Sequence, residues 1–219
     1  MNSIALNRFA PWLGRGLYAL TDGPREDLFE VVSQALAGGA RLLQYRDPTT
    51  DAARRHAEAT ALGHLCHEYG VPLIVGDDIA LAKSVGADGV HLGKEADDID
   101  VARSVLGNHA IIGVSCGDSL QLAQAAARAG ASYLSFGAFF PSRTMPLAPR
   151  ASIDLLRQSA ALGLPRVAIG GITPDNGAPL IEAGADFLAA VSALFGASDV
   201  RAAAQSFADM FPHDRETTR

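Results

Sequence analysis

Residues 166–195 read RVAIGGITPDNGAPLIEAGADFLAAVSALF, and the parsing of this stretch decides the fold. An apolar run, Val167-Ala168-Ile169, breaks at Gly170-Gly171 and restarts at Thr173-Pro174 with helix-start chemistry. A second apolar run, Phe187 to Val191, ends at Ser192. Both read as short buried strands finishing in backbone N–H groups. Glycine lets the main chain approach an oxygen closely, and free N–H groups at a helix start carry partial positive charge. The glycine pair and Ser192 therefore make a pocket for an anion. The plainer alternative is a strand-to-helix turn in which Gly-Gly only relieves crowding.

The same grammar extends upstream. Residues 16–21 (GLYALT) form a first strand, stopped by Asp22-Gly23-Pro24, and further strands fall at 42–45, 72–75, 89–92, 110–114 and 133–136. Helices are expected at about 26–37, 51–69, 79–84, 152–161 and 200–210. The clearest is 51–69, whose Ala59, Leu62, Leu65, Cys66 and Tyr69 share one stripe. Another, capped by Asp118 with Gln121 completing a capping box, runs to Ala129. Pro179 costs the seventh helix a hydrogen bond unless that helix starts as late as Asn176. A Gly-Ala or Gly-Gly phrase recurs at 37–40, 85–88, 129–132 and 183–186, where a left-handed glycine ends a helix before an apolar strand.

Strand–helix units in one continuous chain, without hairpin signals, predict a single α/β domain: a (β/α)8 TIM barrel over residues 16–211. An N-terminal extension, 1–15, carries Phe9 and Trp12 to cap the barrel bottom, and a polar tail follows at 212–219. A doubly wound sheet is the alternative, but Thr21-Asp22-Gly23-Pro24 is no glycine-rich fingerprint.

The chain has 219 residues, 48% of them hydrophobic, and a formal charge of −6. Lys83 and Lys94 are the only lysines among 18 basic residues. An acidic chain without a basic cluster argues against nucleic acid as a partner and leaves room for a local cationic pocket. Cys66 and Cys116 are too few for a disulfide framework and lack metal spacing. No apolar run approaches a membrane span, and the first fifteen residues lack signal-peptide pattern, so a cytoplasmic protein is expected. Oligomeric state is left open, a homo-oligomer included.

In a barrel the reactive face lies where strands end. Gln44 and Arg46 share one strand face and Tyr45 takes the other, so a carboxamide and a guanidinium point together at the mouth. Arg46 could instead pair with Asp47 or another acid at the rim. Gly76-Asp77-Asp78 suggests a magnesium ligand; Asp78 is also a natural N-cap, which makes Asp77 the better candidate. For Asp97 and Asp98 the plainer reading is that they only charge a helix start. His91 could face the lumen with Gly89, where a buried, satisfied imidazole is the more frequent meaning, while His64 and His67 lack a third ligand. Cys116 has no partnered base and is discounted as a nucleophile. Ser142, Arg143 and Thr144 follow strand six and could complete the anion pocket of Gly171 and Ser192.

Together, GLYALTD (16–22), LQYRD (43–47), VGADGVHLG (85–93), IIGVS (111–115), FGAFFPSRT (136–144), AIGGIT (168–173) and AGADFLAAVSAL (183–194) resemble the thiamine-phosphate synthase family. The resemblance runs from about 16 to 210 and implies a TIM-barrel transferase. Its reaction couples hydroxymethylpyrimidine pyrophosphate to thiazole phosphate and releases pyrophosphate. It also implies roles: Gln44 on the pyrimidine, Arg46 on the pyrophosphate, Asp77 on magnesium, and Ser115 near the leaving group. Tyr18 and His91 would line the ring pocket. Ser142, Thr144, Gly171, Val191 and Ser192 would hold the thiazole phosphate.

Four positions depart from the family pattern: Pro48 and Met145 replace lysines, Gly76 an asparagine, and Ala96 a metal-binding carboxylate. Arg143, Lys94 and Asp97, the last as a displaced metal ligand, stand near enough in sequence to compensate. Two further readings stay open. One is a thiazole tautomerase-like isomerase, whose catalytic histidine would fall at Ala138; the other is a non-catalytic binder of a phosphorylated thiazole.

Overall fold

The apolar runs become strands that pair with their sequence neighbours. In the computed structural model, which describes residues 14–93, 98–142 and 149–211, they close into one parallel barrel. The strands are β1 (Gly16–Leu20), β2 (Ala40–Tyr45), β3 (Leu73–Gly76), β4 (Gly89–Leu92), β5 (Ile111–Gly117), β6 (Tyr133–Phe136), β7 (Arg166–Ile169) and β8 (Phe187–Ala190). Tyr18 lies opposite Leu42 on one side and Ala189 on the other, which closes the ring. The helices are α1 (Leu28–Ala37), α2 (Ala52–Tyr69), α3 (Ile79–Val85), α4 (Asp98–Leu106), α5 (Leu120–Arg128), α6 (Asp154–Gln158), α7 (Ala178–Glu182), α8 (Ser192–Phe195) and α9 (Val200–Ala208).

Strand alternation sorts the side chains into two cores. Leu17, Ala19, Leu43 and Tyr45 face the helices, while Tyr18, Leu20, Leu42, Ile74, Ile111, Tyr133, Val167, Phe187 and Ala189 fill the lumen. The lumen is thus packed, and only its upper end is available for chemistry.

The recurring phrase does more than stop helices. Gly86, Gly130 and Gly184 take φ of 67°, 91° and 103°, as helix termination requires. Two residues later, the polar side chain turns back to the start of the preceding strand. Asp88 Oδ2 accepts from Leu73 N at 2.8 Å, Ser132 Oγ from Ile112 N at 2.9 Å and Asp186 Oδ2 from Arg166 N at 2.9 Å. Each residue's own N–H bonds back to the carbonyl of the same strand residue, closing a two-bond clamp at the barrel bottom.

Several boundaries differ from the expectation. The cap of α5 is Ser119, whose side chain accepts from Leu122 N, not Asp118; β5 runs on to Gly117 and leaves no helix start at 118, so Gln121 completes no box. Residues 152–161 resolve into α6 and a 3-10 turn, Ser159–Leu162. Pro179 sits in the first turn of α7, where its missing N–H costs nothing. The chain after β8 bends at Val191 into α8, a short helix that sequence periodicity did not show. No helix among the described residues is long and apolar enough to cross a membrane. Phe9, Trp12 and the 212–219 tail lie outside the described residues.

Candidate active site

At the C-terminal end of the lumen the strands place polar side chains above the apolar floor. Gln44 Nε2 donates to Tyr18 Oη at 2.9 Å, and Tyr18 Oη lies 2.8 Å from Tyr133 Oη. Tyr133 Oη is 2.9 Å from His91 Nδ1, and His91 Nε2 is 2.9 Å from Ser115 Oγ. One hydrogen-bonded chain therefore crosses the barrel through β2, β1, β6, β4 and β5.

Room for it comes from glycine. Gly76, His91, Gly113 and Tyr133 are consecutive partners in register around β3 to β6. A Cβ on Gly113 would run into the phenol end of Tyr133. The freed space lets the His91 and Tyr133 rings stack with centroids 5.6 Å apart. Burial disfavours charge here: it holds the His91 pKa down at about 4 and raises that of Tyr18, whose bonds to Tyr133 and Gln44 oppose the rise. The floor of the site is polar and neutral.

The rim above it is charged. Arg46 is exposed just beyond β2, and its main chain is held twice by Thr21: Arg46 N donates to Thr21 Oγ1 at 2.8 Å, and that hydroxyl donates to Arg46 O at 2.9 Å. Asp47 does not neutralise it, because Asp47 pairs with Arg54 at 2.7 Å on the helix side. Asp77 follows β3 with a left-handed φ of 56° and donates its N–H to His91 O at 2.8 Å. Crowding around its carboxyl raises the Asp77 pKa, against the pull of the Arg46 charge and the Gly93 backbone. Asp78 is occupied as expected, accepting from Leu81 N at 2.8 Å as the cap of α3 and pairing with Arg55 at 2.9 Å.

Across the mouth, the loop after β6 zips onto the end of β7. Phe139 N donates to Ile169 O and Phe140 N to Gly170 O, which brings Pro141 against Gly171, with Ser142 next along the chain. Gly171 has φ of 64°, and a side chain there would collide with the Pro141 carbonyl. Asn176 pins this loop, accepting from Thr173 N and donating to Gly171 O. Val191 and Ser192, half-buried at the start of α8, follow the neighbouring strand.

Gln44, Arg46, Asp77, His91, Ser115, Ser142, Gly171, Val191 and Ser192 thus lie at strand ends on one face of the barrel, with Tyr18 beneath them. Arg143, Thr144, Met145, Lys94, Ala96 and Asp97 lie outside the described residues. Sequence reasoning missed Tyr133, whose role comes from its partners Tyr18 on β1 and His91 on β4 and not from its own strand. Cys116 is fully buried, and burial pushes its thiol pKa up to about 12, unlike a nucleophile's. His64 and His67 line a separate cleft of about 300 Å³ with Asp88 and Pro72, toward the barrel bottom. Among the described residues no three metal-capable side chains cluster.

A family model described as thiamine monophosphate synthase matches residues 17–194. A thiamine-phosphate synthase of Thiobacillus denitrificans is 53% identical over 204 residues, covering 92% of this chain and 97% of that protein. Another, from Nitrosococcus oceani, is 50% identical over 90% of this chain and 93% of its own. Among solved structures, thiamine phosphate pyrophosphorylase from Pyrococcus furiosus superposes with a TM-score of 0.80 at 34% identity, covering 94% of this chain and 96% of its own. With that match spanning the barrel, the chain belongs to the thiamine monophosphate synthase family.

Proposed function

We propose that this protein is a thiamine-phosphate synthase, coupling hydroxymethylpyrimidine pyrophosphate to thiazole phosphate. The carrying observation is a neutral polar floor beneath a rim with Arg46 and Asp77 on one side and the Gly171 and Ser192 turns on the other. Such a site suits a neutral heteroaromatic ring held between two anionic groups. In the proposed reaction the bond from the pyrimidine methylene to the diphosphate oxygen breaks, and its electron pair leaves with the diphosphate. The thiazole nitrogen lone pair then closes the new carbon–nitrogen bond. No proton leaves that nitrogen, so no general base is needed, which accords with a weakly basic His91. Stabilising charge on the leaving group is then the main catalytic task.

Arg46 would meet that charge, with Ser115 near it, while Ser142, Thr144, Gly171, Val191 and Ser192 would hold the thiazole phosphate. Magnesium commonly takes one or two carboxylates and completes its shell with phosphate oxygens and water. Asp77 fits as one such carboxylate; Asp97, outside the described residues, is the second that the sequence offers. The ion, when bound, would neutralise the diphosphate. The four departures would make this half of the site weaker than the thiazole-phosphate half.

The test is a coupling assay reading thiamine phosphate, paired with calorimetric titration of each substrate with and without magnesium. A synthase binds both and turns over. Binding of the thiazole phosphate alone, without product, would replace this reading with the non-catalytic binder.

A further inference from the structure

The buried chain from Gln44 to Ser115 has a direction. Gln44 Nε2 can only donate, so the Tyr18 oxygen accepts at 2.9 Å. Tyr18 is 1% exposed, and the partner at hand for its own proton is Tyr133 Oη, 2.8 Å away. Tyr133, having accepted, must pass its proton to His91 Nδ1 at 2.9 Å. His91 must then carry its hydrogen on Nε2 and donate to Ser115 Oγ at 2.9 Å. Reversing the chain makes Tyr18 accept twice and strands its buried O–H without an acceptor, which costs more than an unmade bond in water. A doubly protonated His91 forces the same conflict.

The geometry points to Tyr133 as a positioning residue: it fixes His91 in the Nε2–H form, and that form turns the Ser115 hydroxyl outward as a donor into the mouth. Ser115 is half-buried near the end of β5 and already accepts from His91, so its hydrogen is free for a ligand oxygen. The role of that donor rests on the synthase reading, where the oxygen belongs to the departing diphosphate. The tautomer itself does not.

The experiment is nitrogen NMR of histidine-labelled full-length protein without substrates, followed by steady-state coupling kinetics. Wild type is expected to show His91 protonated on Nε2 alone. Tyr133→Phe keeps the ring, removes the donor to Nδ1, and is expected to mix the tautomers. Gln44→Glu, ionised at high pH, offers only acceptors to Tyr18, so there it is expected to reverse the chain and move the hydrogen to Nδ1. Tyr133→Phe is also expected to lower kcat by roughly tenfold to a hundredfold with KM little changed, and Ser115→Ala to do the same without altering the tautomer. A wild-type His91 protonated on Nδ1, or a Tyr133→Phe protein with the wild-type tautomer, overturns the proposal. A wild type that shows the expected tautomer but makes no thiamine phosphate upholds the relay and removes the synthase reading instead.

Discussion

Replacing Gly113 with alanine should damage the floor of the site and the stability of the barrel together. A methyl there would overlap the phenol end of Tyr133, and that ring cannot swing aside freely because its hydroxyl is bonded between Tyr18 and His91. Overpacking a tight interior costs roughly 1–3 kcal/mol, and a buried partner left without its hydrogen bond adds roughly 1–3 kcal/mol. The sum, about 2–6 kcal/mol, lowers Tm by roughly 4–24 °C for a domain of this length. Tyr133→Leu alone removes both bonds and leaves a void. In the double variant the alanine methyl enters that void, so the two losses should fall short of additive by at least about 1 kcal/mol. Urea unfolding of the wild type, both single variants and the double provides the cycle. Additive losses would refute the steric coupling, and with it the claim that Gly113 exists to seat Tyr133.

Three further outcomes follow from particular contacts. The depressed His91 pKa, about 4 against an ordinary 6.5, means the unfolded chain takes up this proton first as pH falls. Stability contributed by His91 is present above pH 6.5 and lost toward pH 4, by up to about 3 kcal/mol. Burial of the Asp77 carboxyl acts in the opposite sense, so the measurement is the difference in urea midpoint between wild type and His91→Gln across that window; parallel curves would refute it. Asp78→Ala removes the α3 cap and the Arg55 partner, and should cost about 1–2 kcal/mol in thermal or urea unfolding. Gly76 lies in ordinary strand backbone, where a Cβ would meet Gln44 Oε1 at 3.4 Å; Gly76→Asn should therefore fold with Tm within about 3 °C of wild type and bind inorganic pyrophosphate more tightly by calorimetry.

The barrel was legible because its signals are local. Each apolar run and each glycine-terminated helix can be read within a dozen residues, and sequence neighbours in a parallel α/β chain become neighbours in space. Gln44 and Arg46 were legible for the same reason, since alternation along β2 separates them from Tyr45 without knowledge of any other strand. Tyr133 was not, because its role comes from Tyr18, 115 residues away, and His91, 42 residues away. The clamps at Asp88, Ser132 and Asp186 were half legible: the glycine before each announced a helix end, but the polar residue answers a strand start up to twenty residues upstream. The α5 cap was missed because two adjacent residues, Asp118 and Ser119, both suit a cap, and only the length of β5 chooses between them.

The positions that the resemblance sets apart differ in their surroundings. Pro48 stands where the resemblance implies a cation, and Arg46 beside it is fixed independently, since Thr21 holds the Arg46 main chain from β1 and Arg54 engages Asp47 from α2. Gly76 is not demanded by its backbone, and a Cβ there would make only ordinary van der Waals contacts with Gln44, Tyr45 and Arg46. Position 76 adjoins the chain of hydrogen bonds from Gln44 to Ser115 only at Gln44 Oε1, and not at the Nε2 that donates to Tyr18. The neutral floor and the charged rim are thus built by separate contacts. Substitution at the rim can weaken the grip on an anion while the seat for the ring below it stays intact.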